Sequence, residues 1–325
     1  MKNNSKKKWW SFLFIGVMLI YSILSPGIAS AARSINAAFL QPSNITLSYT
    51  SEQFQDEFTR MKDIGIDTII IQRAAFDDKA YYPSKYLNPI KPEWIQNMLK
   101  NAEDLGMGVY IGLPQPKNWF VAAKTKEFYD NLYSQTIQYA AELFSLYGQN
   151  RAVKGWYIPF EFSVDMIGDR QLSQFISSLS RELKRITKGQ KIILSPYLGK
   201  RKTSLTPGLT SQWVTQWSIF LSKISVDIIA IQDSVGASGN DPSTAAEYLR
   251  IISRAFTNQP TSLWATVESF GKGYVSAPYN RLVEQINSEG PYVSGLAVFD
   301  FSHYMNPERG ENASSLYKSM KKINR

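Results

Sequence analysis

The stretch GWYIPFEF, residues 155–162, is an apolar and aromatic run interrupted by a single acidic residue, Glu161. A continuous apolar run is typical of a parallel strand that is covered on both faces. Burial of an unpaired charge is costly, so a carboxylate at the end of such a strand needs a reason. The stretch therefore predicts a buried strand with a functional carboxylate at its carboxyl end.

Seven similar runs are spaced along the chain, with amphipathic helical patterns between them. The eight predicted strands are residues 35–40, 68–72, 108–113, 155–161, 191–197, 227–233, 262–268 and 295–301. Eight strand–helix units fit a single-domain (β/α)8 TIM barrel, for which about 250 residues is typical. A doubly wound α/β sheet is the alternative, but neither a P-loop nor a G-x-G-x-x-G motif is present. We expect one barrel domain over residues 32–325.

The amino terminus has the features of a secretory signal peptide over residues 1–31. Four lysines precede an apolar stretch and the small-residue sequence IASAA, with cleavage expected after Ala31. A membrane anchor is the competing interpretation, but the apolar stretch is shorter than the roughly 20 residues of a span. Removal of the four lysines lowers the net charge from +9 to +5. These features predict a secreted protein, extracellular or associated with the cell wall, without a stable membrane span.

Composition excludes several kinds of site. The chain has no cysteine and one histidine, His303, which excludes disulfides, thiolate metal sites and histidine-rich metal centres. A Ser-His-Asp triad would need His303, and no G-x-S-x-G motif accompanies it. Basic residues are scattered apart from KRK at residues 200–202, so no nucleic-acid partner is predicted. We expect no cofactor and no metal.

Two glutamates, Glu161 and Glu268, end the fourth and seventh predicted strands. Active sites of such barrels lie at the carboxyl ends of the strands, where these two strands face each other. One carboxyl group of a pair can protonate the departing glycosidic oxygen, and the other can stabilise or trap the oxocarbenium-like centre that forms. A separation of about 5–5.5 Å favours retention, and about 6.5–9.5 Å favours inversion. The alternative is that both glutamates form ion pairs at the rim, with Arg73 or a lysine, and do no chemistry.

Other residues at or just after the strand ends are predicted to contact a sugar. Amide, guanidinium and carboxyl groups suit hydroxyls or an acidic sugar, and aromatic rings suit the faces of pyranose rings. The predicted contacts are Gln72, Arg73, Gln115, Trp119, Tyr197, Gln232, Asp233, Phe270, Asp300, His303 and Tyr304. Asp233 and Asp300 have further possible roles: orienting the catalytic pair, replacing one of its members, or capping the next loop or helix.

The strand endings GWYIPFEF, IAIQDSVG, LWATVESF and LAVFDFSHYMNP resemble those of bacterial domain-of-unknown-function family 4434, which is regarded as a (β/α)8 glycoside hydrolase family. The layout is also similar to that of the clan A glycoside hydrolases. That resemblance implies Glu161 as the acid/base and Glu268 as the nucleophile. Clan A enzymes usually have asparagine before the acid/base residue, whereas this chain has Phe160.

Three functions follow as hypotheses. The first is a secreted, retaining glycosidase that acts on a polysaccharide or oligosaccharide. The second is a non-catalytic glycan-binding barrel at the cell surface. The third is a metal-dependent hydrolase or deacetylase that uses Asp233, Glu268, Asp300 and His303, although a single histidine is a poor basis for a zinc site.

Overall fold

The computed structural model describes residues 34–201 and 206–323. The predicted signal peptide, residues 1–31, lies outside these ranges. Within them, no helix combines the length and the apolar character that a membrane crossing requires.

Eight parallel strands close into a barrel in which each strand pairs with its neighbours in sequence. The strands are β1 (Ala37–Leu40), β2 (Thr68–Ile71), β3 (Gly108–Gly112), β4 (Val153–Ile158), β5 (Lys191–Leu194), β6 (Ile228–Gln232), β7 (Ser262–Glu268) and β8 (Gly295–Phe299). The barrel closes where β1 pairs with β8, with Ala37 opposite Ala297. All eight predicted strands and the predicted TIM barrel are confirmed.

Helices follow the strands and form the outer layer. The main helices are α1 (Ser51–Asp63), α2 (Trp94–Asp104), α3 (Lys126–Tyr147), α4 (Arg170–Ile186), α5 (Pro207–Leu221), α6 (Pro242–Ser253), α7 (Tyr279–Glu289) and α8 (Glu311–Ile323). Polar caps set several of their starts. Thr50 and Gln53 form a capping box at α1, and the Asp169 carboxylate accepts the Leu172 N–H at α4. Such caps satisfy backbone donors that a helix leaves unpaired.

The alternation of side chains along each strand produces two separate cores. One face of the strands packs against the helices. The other fills the barrel interior, where the Phe39 ring lies 5.3 Å from that of Tyr157 and 5.8 Å from that of Phe299. Interior positions near the carboxyl ends of the strands therefore point into the mouth of the barrel.

Gly155, which begins the GWYIPFEF stretch, allows β4 and β5 to approach closely. A Cβ atom at this position would lie 1.9 Å from the carbonyl oxygen of Lys191. Glycine is therefore required there, and the remaining residues of the stretch continue toward the barrel mouth.

Two small sheets elaborate the segments that follow β2 and β7. Ala75–Phe76 pairs with Lys79–Ala80, which also pairs with Asn88–Pro89. Phe270–Gly271 pairs with Val275–Ser276. These segments bring aromatic side chains to the same end of the barrel as Glu161 and Glu268.

Candidate active site

Glu161 lies three residues beyond the end of β4 and is half-buried at the barrel mouth. The Tyr157 hydroxyl, which points into the barrel from β4, donates to Glu161 Oε1 at 3.0 Å. The backbone carbonyl of Glu161 accepts from Trp119 Nε1 at 2.7 Å. Burial raises the pKa of Glu161, while the Gln232 amide, the Tyr157 hydroxyl and the Arg73 charge oppose that rise. A carboxyl with a raised pKa suits a proton donor.

Arg73 and Gln115 form a chain of hydrogen bonds beside Glu161. Arg73 Nη1 donates to Gln115 Oε1 at 2.7 Å, and Gln115 Nε2 donates to the Pro159 carbonyl at 2.9 Å. The Arg73 guanidinium carbon lies 4.6 Å from the centroid of the Phe76 ring. Gln115 is buried, so it supports the Glu161 segment and fixes the position of the arginine.

Glu268, the last residue of β7, is only 4% exposed. Its Oε2 atom accepts a hydrogen bond from the Ala237 N–H at 2.6 Å. Burial and the Asp233 charge raise the pKa of Glu268 to about 8, while the backbone N–H groups of Ala237 and Gly236 and the charge of Arg281 favour the ionised form. The site thus holds this carboxyl in a defined orientation with backbone donors.

These backbone donors belong to the short helical turn Val235–Ser238, which follows β6. At Gly236, an added Cβ would lie 2.2 Å from the Phe270 carbonyl oxygen and 3.1 Å from Glu268 Oε2. Only glycine allows the turn to approach both groups so closely.

Among the described residues, no ion pair within 4 Å involves Glu161 or Glu268. The rim ion pairs that were the alternative to catalysis are therefore not formed there. Both carboxyls instead accept hydrogen bonds from uncharged donors.

Asp233 lies behind Glu268 and does not open onto the barrel mouth. It is fully buried, and its Oδ1 atom accepts the Val235 N–H at 3.0 Å. Its Oδ2 atom accepts from the Gln285 side-chain amide on α7 and, at 3.4 Å, from the Glu268 N–H. Burial raises the pKa of Asp233 to about 6. Of the roles that the sequence left open, these contacts fit two: capping of the next turn, through the Val235 N–H, and orienting of Glu268, through its backbone N–H.

Asp300 and His303 form a second polar pair, after β8. Asp300 is fully buried, and its Oδ2 atom lies 2.7 Å from His303 Nδ1. His303 Nε2 lies 2.8 Å from the Ser43 hydroxyl, in the segment after β1. Burial lowers the pKa of His303, but the hydrogen bond and charge of Asp300 outweigh it, so the pKa is raised. Asp300 also accepts the His303 N–H at 2.9 Å, which makes it the cap of the short helix Phe301–Tyr304.

No group of three carboxylate or histidine side chains in the described ranges is arranged to hold a metal ion. The four residues of the metal-dependent hypothesis are divided instead. Asp233 and Glu268 lie together, while Asp300 contacts His303.

The predicted aromatic contacts differ in how much ring they expose. Trp119 is 2% exposed and packs on Phe160, so its indole supports the Glu161 segment from below the surface. Phe270 is also buried, between Tyr274 and Tyr304, with ring centroids 5.6 Å and 5.2 Å away. Tyr274, at 75% exposed, and half-buried Tyr304 present the accessible rings on this side.

The remaining predicted contacts are the half-buried side chains Gln72, Tyr197 and Gln232. Gln232 Nε2 donates to the Ser195 carbonyl at 3.2 Å, and Gln72 Oε1 has no hydrogen-bond partner among the described residues. Together with Arg73 and Glu161, these side chains belong to the carboxyl end of the barrel.

Several residues that the sequence did not single out complete the site: Tyr157, Gly236, Ala237, Arg281, Gln285 and Glu289. Strand alternation provides a signal for Tyr157, since it lies four positions before Glu161 on the interior face. The others lie in the Val235–Ser238 turn and on α7. They are distant from Glu268 in the sequence, and the fold brings them close to it.

Comparison with solved structures finds glycoside hydrolases with the same barrel. A candidate alpha-L-fucosidase from Bacteroides thetaiotaomicron VPI-5482 has a TM-score of 0.74 and 22% identity, over 90% of this chain and 96% of that one. An endo-1,4-beta-mannanase from Rhizomucor miehei has a TM-score of 0.58 and 12% identity, over 89% and 95%. A family 1 β-glucosidase from Thermotoga maritima has a TM-score of 0.56 and 9% identity, over 90% and 98%. At these identities the comparison establishes a common fold.

Comparison with curated proteins gives no match. Residues 35–311 match a protein family described as "Domain of unknown function (DUF4434)". This match spans most of the chain and agrees with the resemblance in the strand endings, so the protein belongs to the DUF4434 family.

Proposed function

We propose that the protein is a retaining glycoside hydrolase that cleaves a polysaccharide or oligosaccharide with Glu161 and Glu268. The supporting observation is that two carboxyls at the ends of β4 and β7 are held by uncharged donors in surroundings that raise the pKa of each. The barrel is also the fold of the solved glycosidases that it matches. Separated catalytic carboxyls with tuned pKa values are what glycoside cleavage requires.

Glu161 acts as the acid/base in this mechanism. It is the more exposed carboxyl of the two, and burial favours its protonated form. The protonated group donates to the departing glycosidic oxygen as the bond to the sugar breaks. It then takes a proton from the water that releases the sugar in the second step.

Glu268 acts as the nucleophile. Its Oε2 atom is held by Ala237, which leaves Oε1 to attack the anomeric carbon. Nucleophilic attack needs the ionised carboxylate, and the ionised fraction of Glu268 rises as the pH rises through its pKa of about 8. The backbone donors and the Arg281 charge favour that form.

The test is the release of reducing ends from bacterial, plant and fungal polysaccharides by residues 32–325. We expect activity in the wild type and loss of turnover in both Glu161→Gln and Glu268→Gln. Thermal unfolding close to that of the wild type should show that each variant folds. Persistent activity in either variant would remove that residue from the mechanism. Binding of a glycan that survives both substitutions, with no product, would favour the glycan-binding barrel.

Export of the protein is a separate part of the proposal. The basic and apolar sequence of residues 1–31 supports secretion with cleavage after Ala31. Amino-terminal sequencing of the protein from culture medium should begin at Ala32. Recovery of the uncut chain in the membrane fraction would favour an anchor instead.

A further inference from the structure

Glu289, the last residue of α7, is a buried acid that the proposed mechanism does not use. Its side chain is fully buried, and neither carboxyl oxygen accepts a hydrogen bond from an N–H or hydroxyl donor among the described residues. An ionised carboxylate without a donor or a cation is strongly disfavoured in such a place. Glu289 should therefore be protonated, and its O–H group needs a hydrogen-bond acceptor.

Asp233 is the group that supplies the acceptor. Gln285 lies one helical turn before Glu289 on the same face of α7, and its amide donates to Asp233 Oδ2. Burial first, and then the charge of Asp233 and a side-chain hydrogen bond with it, raise the pKa of Glu289. Asp233 already accepts from Val235, Gln285 and Glu268, which makes it the ionised member of the two.

Arg281 is the cation near the pair, and its charge lowers the pKa of Asp233, which favours Asp233 as the ionised member. Arg281 Nη2 is directed to the carbonyl oxygens of Glu268 and Phe270, at 2.6 Å and 2.7 Å. On the neighbouring helix α6, Glu247 and Arg250 pair with each other at 2.7 Å. Glu268 adds a further carboxyl on the side of β7 and increases the need for a proton.

We propose that Glu289 and Asp233 share one proton, and that this pair positions Glu268. The Glu289 O–H donates to the Asp233 carboxylate, while Asp233 holds the Val235 and Glu268 backbone N–H groups. Val235 begins the turn that presents the Ala237 donor to Glu268 Oε2. The shared proton stands independently of catalysis, whereas its effect on turnover rests on the proposed function.

The proton is tested by the pH dependence of unfolding in urea, which needs no substrate. Free glutamate loses its proton near pH 4.3, so above that pH the unfolded chain binds one proton fewer at position 289 than the folded protein. This group therefore makes stability fall as the pH rises toward its folded pKa. Glu289→Gln should remove this contribution. Between about pH 5 and pH 7, the factor by which the unfolding equilibrium constant increases per pH unit should be about tenfold smaller in the variant than in the wild type.

The matched control is Glu284→Gln, which removes an exposed carboxyl from the same helix. Its pH dependence should equal that of the wild type. Equal slopes in the wild type and in Glu289→Gln would overturn the shared proton, because position 289 would then bind the same number of protons in both states.

Positioning is tested by comparing Glu289→Gln with Glu289→Leu. Glutamine retains a donor to Asp233, whereas leucine leaves Asp233 without it. We expect Glu289→Leu to speed amide exchange at Ala237 and to lower kcat with KM nearly constant, and Glu289→Gln to restore both. Identical behaviour of the two variants, or wild-type exchange in Glu289→Leu, would overturn the positioning role.

The two failures are distinguishable. A wild-type protein that cleaves no glycan contradicts the proposed function, while the unfolding and exchange results still decide the proton and the position of the turn.

Discussion

The two sides of the barrel mouth hold the same residue type in different ways. On the β4 side, Glu161 is half-buried and is held by side chains, chiefly the Tyr157 hydroxyl and the Gln232 amide. On the β7 side, Glu268 is nearly fully buried and is held by a backbone turn, with Asp233 beside it. A cation, Arg73, acts on the first carboxyl, whereas on the second the charge of the anion Asp233 outweighs that of the cation Arg281.

This difference suggests a division of labour between the two carboxyls. A group held by side chains near solvent can exchange protons with the substrate and with water. A group held by a turn keeps its direction of attack but resists ionisation, because burial and a neighbouring anion disfavour a second charge. Substitutions on the two sides should therefore shift the pH dependence in opposite directions. They should also displace the two carboxyl groups to different extents.

The largest effect is expected from Gly236→Ala. The added Cβ would lie 2.2 Å from the Phe270 carbonyl oxygen, so the turn must move away from Glu268. A displacement of about 1 Å near reacting groups can cost about 10²-fold in rate. We expect a loss of this size in kcat, measured on the substrate that the wild type cleaves.

Gly208→Ala is the control for this change. Gly208 is exposed near the start of α5, and a Cβ there would meet nothing within 4 Å. Its kcat should equal that of the wild type. Wild-type kcat in Gly236→Ala would show that the turn does not hold Glu268 as described.

Tyr157→Phe should have the next largest effect. It removes the hydroxyl that donates to Glu161 Oε1 at 3.0 Å and leaves the ring in the barrel interior. A hydrogen bond to a charged group contributes about 1.5–3 kcal/mol, so kcat should fall about tenfold or more. Tyr110→Phe, at another interior tyrosine, should leave kcat nearly unchanged, and equal losses in the two variants would indicate a packing effect.

Asp233→Asn should move the pH profile of kcat/KM toward lower pH. The substitution removes a charge that raises the pKa of Glu268, so Glu268 ionises at lower pH. Asp241→Asn, which removes an exposed carboxyl before α6, should not move the profile. A shift to higher pH in Asp233→Asn would contradict the role of this anion.

Arg73→Gln should move the pH profile of kcat/KM in the opposite direction, toward higher pH. Of these variants, it should change kcat/KM at the optimum pH the least. The guanidinium lowers the pKa of Glu161, so its removal lets Glu161 keep the proton to higher pH. Lys117→Gln removes a rim cation that pairs with Asp77 at 3.1 Å and serves as the control. An unchanged profile in Arg73→Gln would mean that the two sides are not opposed electrostatically.

Much of the fold could be predicted from the sequence, because apolar strands and amphipathic helices have different periods. The eight strands of the barrel, including the one that contains Trp156 and Tyr157, lie where their runs indicated. Strand ends are the part of a barrel sequence that approaches the mouth. The positions of Glu161 and Glu268 at strand ends therefore predict that both lie at the mouth, although the sequence does not indicate their contacts.

The orientation of side chains beyond the strand ends could not be predicted in the same way. Asp233 is the exception: it follows Gln232 by one position, so strand alternation directs Asp233 toward α7 and Gln232 into the barrel. Trp119 lies in a loop, where no periodicity indicates burial. Glu289 is an acid at a helix end, and only the approach of α7 to β6 and β7 gives it a partner.

The most direct measurement is azide rescue in Glu161→Gly and Glu268→Gly, with an aryl glycoside of the sugar that the wild type releases. If Glu268 is the nucleophile, azide replaces it in Glu268→Gly and forms a glycosyl azide of inverted configuration. In Glu161→Gly, azide should attack the glycosyl-enzyme and form the azide of retained configuration. The same anomer from both variants, or no azide product from either, would contradict the assignment of the two carboxyls.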